Sequence, residues 1–282
     1  MDEATIRLLL FFGIFAAMAA FELFLPRREL TLGRGRRWLT NLAIVATDTA
    51  VLRIVFPMAA VGIALWASEG GYGLFAMAGM PVWIAAVLGF VILDFAVWAE
   101  HWASHKIPLL WRIHKMHHAD RDIDVTTALR FHPLEILISM AWKAAVVVAF
   151  GIPVLAVLVF EVVLNGAAMF NHANVRLPGW LDRGLRLLIV TPDMHRVHHS
   201  VIRSETDSNY GFNLSIWDRL FRTYVDQPRE GHTGMTIGLA EYQTPEPAGY
   251  FWSLALPFRR PAADRAVEST GQGSVKADRE IA

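Results

Sequence analysis

The chain contains no cysteine. Disulfides, thiolate metal sites and cysteine-ligated iron–sulfur clusters are therefore excluded together. Charge is scarce as well: 18% of the 282 residues are charged, and the two signs cancel to a formal net charge of 0. No global field points to nucleic acid. The Gly-rich dinucleotide fingerprint and the zincin His-Glu-x-x-His are both missing, so nicotinamide binding and metalloprotease chemistry have no support. What fills the space is apolar. Hydrophobic residues make up 54% of the chain, more than a soluble domain of this length normally carries.

Four apolar regions stand out: Leu8–Leu25, Asn41–Trp66, Pro81–Ala99 and Leu134–Phe170. The first follows the acidic start Met1-Asp2-Glu3 and lacks a small-residue cleavage site, so it reads as a retained membrane helix. In the second, Asp48 and Arg53 leave a short clean part from Ile54, which places its first half at the interface. The third has the length needed to cross roughly 30 Å of hydrocarbon. The fourth is about twice as long as one span, and Gly151-Ile152-Pro153 near its middle predicts a helical hairpin. Lysine and arginine cluster in residues 26–39 and 100–133, whereas the loop from Ser68 to Met80 has neither. The positive-inside bias puts those two basic loops, and everything after Asn171, in the cytoplasm. The expected fold is all-α: about four to five membrane-inserted helices with a cytoplasmic helical cap, integral and multi-pass. The polar tail 261–282 is expected to be disordered.

Histidine carries the chemistry. His101 and His105 are four apart; His114, His117 and His118 form His-x-x-His-His; His195, His198 and His199 form a second such box. Spacings of three and four place imidazoles on one helical face, one turn apart. A helix continued from the third span to His105 covers 25 residues or roughly 37 Å, so its histidines project just past the hydrocarbon. Pro108 then breaks the helix, and the second box begins close by. Adjacent pairs such as His117-His118 and His198-His199 have no packing advantage, whereas the lone His232 reads as an ordinary core or surface residue. Eight or more neutral ligands are too many for one tetrahedral zinc. Two ions with four or five ligands each fit better, but imidazole alone does not choose among zinc, copper, iron and nickel. Bis-histidine haem, suggested by thirteen-residue spacings, leaves the third box unused and is interrupted by Pro108.

These boxes, in this order, resemble the fatty acid hydroxylase / sterol desaturase superfamily of integral membrane di-iron enzymes. The resemblance runs from about Val87 to Val225 and includes the run Asp94–His101, Arg130-Phe-His-Pro-Leu-Glu135, Phe170–Val175, Thr191–Ser200, Asp207–Gly211 and Trp217–Thr223. It implies that His101, His105, His114, His117, His118, His195, His198 and His199 ligate two iron ions, with zinc possible in purified protein. His172, where the hairpin re-emerges, is the expected ninth ligand. His132 is a metal ligand or a structural hydrogen-bonding group. Asp94, two turns before His101, could take a proton from a ligand imidazole; Asp193, Asp207, Asn209 and Asp218 are similar candidates, with capping or a surface ion pair as the alternative. Glu135 and Glu161 fall within or beside the hairpin; an ionisable group at membrane depth is a functional suspect, whereas one near the interface simply snorkels.

The activity implied is oxidation of a lipid C–H bond with dioxygen and two electrons, by hydroxylation or desaturation. The substrate is a bilayer lipid: sterol-like, fatty acyl or related. A separate electron donor is implied, whether reductase, ferredoxin or cytochrome, because no haem-domain signature is present. A metal-dependent membrane hydrolase or isomerase, or a non-catalytic metal-binding membrane protein, stays open. The chain divides into a transmembrane region 1–80, a catalytic core 81–226, an extension 227–260 and the tail.

Overall fold

The long apolar stretches all become helices, and the breaks between them fall at Gly and Pro. The computed structural model describes residues 3–259, so the polar tail lies outside the described residues. In chain order the helices are α1 (Glu3–Phe24), α2 (Arg34–Val55), α3 (Ala59–Glu69), α4 (Leu74–Met77), α5 (Val82–Lys106), α6 (Pro108–His118), α7 (Pro133–Phe150) and α8 (Val154–His172). Shorter ones follow: α9 (Gly179–Leu185), α10 (Pro192–His198), α11 (Arg203–Thr206), α12 (Ile216–Leu220), α13 (Gly231–Gly234) and α14 (Tyr250–Ala255). Single-turn 3₁₀ segments and three isolated bridges complete the described residues, which contain no extended sheet.

Among the described residues, five segments are long and apolar enough to cross a membrane: 5–24, 34–77, 82–106, 133–150 and 154–172. The chain is an integral, multi-pass membrane protein. The spans pack around Leu93, Val147, Val157 and Phe160, all essentially inaccessible. α5 is unbroken through 25 residues, about 37 Å at 1.5 Å rise per residue. That exceeds a hydrocarbon core of roughly 30 Å, so its histidine-bearing end projects. It stops at Ile107 (φ −92°, ψ 116°) because Pro108 drives the preceding residue out of the helical region, and Pro108 then opens α6. The hairpin forms where expected. Gly151 takes the left-handed cap (φ 67°, ψ 47°) and Pro153 precedes α8. Its tip packs on Gly73 so closely that a Cβ there would sit 2.1 Å from the Gly151 nitrogen.

The second apolar region differs from a simple span. α2 ends at Val55 and α3 starts at Ala59, across Phe56-Pro57-Met58. On α2 the residues Arg37, Asn41, Ile44 and Asp48 recur at helical spacing and are buried. That buried face meets the cap. Arg37 donates to Asp120 (2.6 and 2.8 Å) and Asp124 (2.6 Å), and Asn41 donates to Thr126 (3.0 Å). A fully buried arginine needs this paired, hydrogen-bonded setting to stay charged. Arg130, also fully buried, ties the loop after α6 to Asn41, to Pro247 and to Ser253. The cap and the upper part of α2 therefore share one interior, which includes Ile44, Met116, Tyr242 and Leu256.

Candidate metal centre

Two helices leave the membrane carrying histidines, and two cap helices meet them. α5 contributes His101 and His105, α6 contributes His114, His117 and His118, α8 ends on His172, and α10 with the residue after it contributes His195, His198 and His199. α10 is set by Thr191, whose hydroxyl accepts from Met194 N as an N-cap, and by Pro192 at its first position. All nine imidazoles are buried, and they fall into two groups. His101, His105, His114, His118 and His198 form one; His117, His172, His195 and His199 form the other. Within each group the candidate ligand atoms lie within 4.8 Å of one another.

The ring nitrogens divide by role. Six Nδ1 atoms meet acceptors: His101 to the Tyr210 carbonyl (2.7 Å), His198 to Ser208 O (2.6 Å), His172 to Ala168 O (2.7 Å), His117 to Arg130 O (3.2 Å), His114 to Glu135 Oε1 (2.6 Å) and His105 to Asp207 Oδ1 (3.3 Å). Donating through Nδ1 fixes the tautomer and leaves the Nε2 lone pair free. The Nε2 atoms have no conventional partner. Those of His101, His105, His198 and His199 are buried without a hydrogen bond. The other five meet only one another, at 3.1 Å for His114–His118, His117–His172 and His172–His195. Two nitrogens each about 2.1 Å from one ion, at right angles, lie about 3.0 Å apart. The donor set therefore fits two metal ions, with five and four imidazoles respectively.

Electrostatics agrees. Burial, then neighbouring imidazoles, holds His117, His118, His195 and His199 well below the ordinary histidine range. Burial pushes His198 down to about 3, with His114 adding to the shift. Neutral imidazole is the form that ligates a metal.

The remaining sequence candidates lie around this centre. His132 belongs to neither group. It caps α7, accepting from Leu134 N (3.1 Å) while Nε2 faces Leu254 O (3.2 Å). Asp94 does not reach His101, since two turns amount to about 10.5 Å of rise. Its carboxylate accepts from Trp217 Nε1 (2.8 Å) and Leu214 N (3.3 Å), docking α12 on α5. Asp218 accepts from Trp98 Nε1, Tyr210 N, Gly211 N and Thr223 Oγ1, holding the loop whose Tyr210 carbonyl orients His101. Asn209, at φ 49°, links Met194 O to Val225 through its side chain. Asp193 pairs with Arg27 and Arg196, with His232 Nε2 at 3.5 Å. Arg196, Arg27 and His232 keep its carboxyl below the usual range against the burial that raises it. Glu161 binds Arg7 and Lys143 away from the centre. The backbone carbonyls that orient His101, His117, His172 and His198 were invisible in the sequence, because any residue type supplies one.

Comparison with known proteins adds a family context. Residues 86–223 match the family model described as fatty acid hydroxylase. The chain is 34% identical over 183 residues to ornithine lipid hydroxylase OlsE of Rhizobium tropici, covering 64% of this chain and 52% of that protein. It is 31% identical over 155 residues to the Homo sapiens alkylglycerol monooxygenase, covering 55% of this chain and 33% of that protein. Similarity to the fatty acid hydroxylase vlmA of Lecanicillium sp is 29% over 171 residues, covering 51% and 43%. The chain thus spans about half the length, or less, of these curated relatives. No solved structure matches it.

Proposed function

The chain belongs to the fatty acid hydroxylase family through residues 86–223, and from that premise we propose that it is a membrane di-iron oxygenase that hydroxylates a C–H bond of a bilayer lipid. The observation that carries this reading is the donor set: nine buried imidazoles in groups of five and four, with Nε2 atoms unpartnered or facing one another. Such a site would hold two metal ions, with five imidazoles available to one and four to the other. Bound iron would supply dioxygen activation.

The chain's own residues do the rest. Asp207, Glu135 and the four carbonyls hold six of the nine rings in one tautomer, so those ligands need little rearrangement during turnover. Burial excludes water from all nine histidines, which would limit side reactions at a bound metal pair. The centre sits at the end of α5 and α8, so a lipid can bring its chain to it without leaving the bilayer. A narrow groove between α1 and α8, lined by Leu10, Phe11, Ile14 and Met169 together with the polar Arg7 and Asn165, is proposed to receive that chain; Met169 is one turn before His172. The relatives are named for ornithine lipid, alkylglycerol and fatty acid, and a polar lipid held at the leaflet surface is the proposed substrate class. Electrons come from a separate donor protein. The histidines are proposed to face the cytoplasm, following the basic loops.

The test is direct. Iron-loaded protein in nanodiscs, given a reductant or donor and isotopically labelled dioxygen, should place one labelled oxygen in a lipid product. A chain that holds only zinc and yields a hydrolysed or isomerised lipid without dioxygen would overturn the reading.

A further inference from the structure

We infer that α9 with its following residues and α12 form an amphipathic wedge inserted into the phospholipid leaflet beside α5, so that the cap is partly sunk in the membrane rather than standing free above it. This goes beyond the proposed reaction and does not depend on it.

The depth of the wedge follows from its anchors. Trp217 of α12 donates to Asp94 (2.8 Å), and Trp98 donates to Asp218 of α12 (3.1 Å). Phe221 stacks on Trp98 with ring centroids 4.5 Å apart. On α5, Asp94 and Trp98 lie seven and three residues before His101. At ~1.5 Å rise per residue, that is about 10 and 5 Å from the metal centre toward the middle of the span. α12 is thus pinned at a level where α5 is still crossing apolar surroundings. The segment after α9 is bound to the same piece: Ser215 N donates to Leu188 O (3.1 Å) and Val190 N to Asn213 O (2.9 Å). On the other side, Arg176 N donates to Leu25 O at the end of α1 (2.9 Å).

At this depth the wedge turns large apolar side chains outward. Trp180, Leu187 and Leu188 are 71%, 67% and 73% exposed, and Ile216, Leu220 and Phe221 join them. Six large exposed apolar side chains on two segments bonded to one another mark a surface that is covered by a partner. The chain entering this piece is bonded through Arg176 to Leu25 at the end of the α1 span, where Phe24 and Leu25 are also exposed. Arg183, Arg219 and Arg222 are exposed among these apolar residues. Guanidinium groups beside an aromatic and aliphatic face suit phosphate headgroups above acyl chains. Continuity with the spans and this charge pattern both select a phospholipid leaflet as the occupant.

The absence of cysteine makes the test simple, because any introduced thiol is unique. Leu188→Cys and Leu220→Cys would each be labelled with an environment-sensitive fluorophore in the full chain, reconstituted in phosphatidylcholine–phosphatidylglycerol nanodiscs. Phe12→Cys on α1 and Glu241→Cys on the cap give the hydrocarbon and water references; both positions are exposed. The expected result is blue-shifted emission at 188 and 220, quenching by spin-labelled lipid, and iodide quenching several-fold weaker than at 241. Emission and iodide access equal to position 241 at both sites would overturn the inference. Protection from iodide without quenching by spin-labelled lipid would also overturn it, since it would mean that a second copy or another protein covers the patch.

Discussion

Asp218 offers the sharpest test of how the cap sets the metal centre. It is fully buried and takes four hydrogen bonds, from Trp98 Nε1 (3.1 Å), Tyr210 N (2.9 Å), Gly211 N (2.8 Å) and Thr223 Oγ1 (2.7 Å). The Tyr210 carbonyl then fixes His101. Replacing Asp218 with alanine strands two backbone N–H groups and an indole N–H. Each lost buried partner costs about 1–3 kcal/mol, with partial relief from water and neighbours, so the loss in stability should reach about 3–5 kcal/mol. Asp218→Asn keeps one acceptor oxygen but sets an amide against one donor, and should cost about 1–3 kcal/mol. Asp226, whose side chain is 65% exposed in its pair with Arg186, is the control; Asp226→Ala should stay within about 0.5 kcal/mol of the parent. The assay pairs thermal unfolding in nanodiscs with metal retained after dialysis against a chelator. The alanine variant should unfold several degrees lower and lose metal before the parent does. If Asp218→Ala matches Asp226→Ala in both readouts, the coupling from α12 through Tyr210 to His101 is refuted.

Three further outcomes are expected. Glu135→Gln removes the carboxylate on His114 Nδ1 and should weaken metal binding about 10–100-fold, measured by competition with a chromogenic chelator; unchanged affinity would remove Glu135 from the site. His132→Ala should cost about 1 kcal/mol as a lost helix cap yet leave metal content intact, and loss of a full ion in a folded variant would make His132 a ligand after all. Acid should destabilise the metal-free chain. His198 sits near 3 in the folded protein against about 6.5 when unfolded. The unfolded state therefore binds more protons between those values; stability is fully present above about pH 6.5 and is lost as pH falls toward 3. Denaturant midpoints across that window should fall with pH, and less steeply in His198→Gln; identical slopes would contradict the assignment.

Much of the architecture was legible because its signals are local. The Gly151-Ile152-Pro153 break and the Pro108 stop act on their immediate neighbours, and the structure puts helix ends at both. The three histidine boxes could be recognised for the same reason, since one-turn spacing needs no tertiary knowledge. Their partition was not legible. His114 and His118 join His101, whereas His117, between them in sequence, turns to His172, because at 3.6 residues per turn 118 lies about 40° to one side of 114 and 117 about 60° to the other. Asp94 shows the converse limit. Helical periodicity placed it on the His101 face, but only the folded cap could bring Trp217 and Leu214 to its carboxylate. The upper half of α2 likewise read as interfacial, while its buried partners Asp120 and Asp124 come from a loop more than eighty residues away.

The most direct test of the central claim is the metal content of the purified chain, grown with iron and kept reduced. Two iron ions per chain are expected, one for each histidine group. Single replacements His198→Ala and His195→Ala should each lower that content in a folded protein, because they strike different groups. A chain that holds a single ion, or that keeps both when either histidine is removed, would contradict the two-site account.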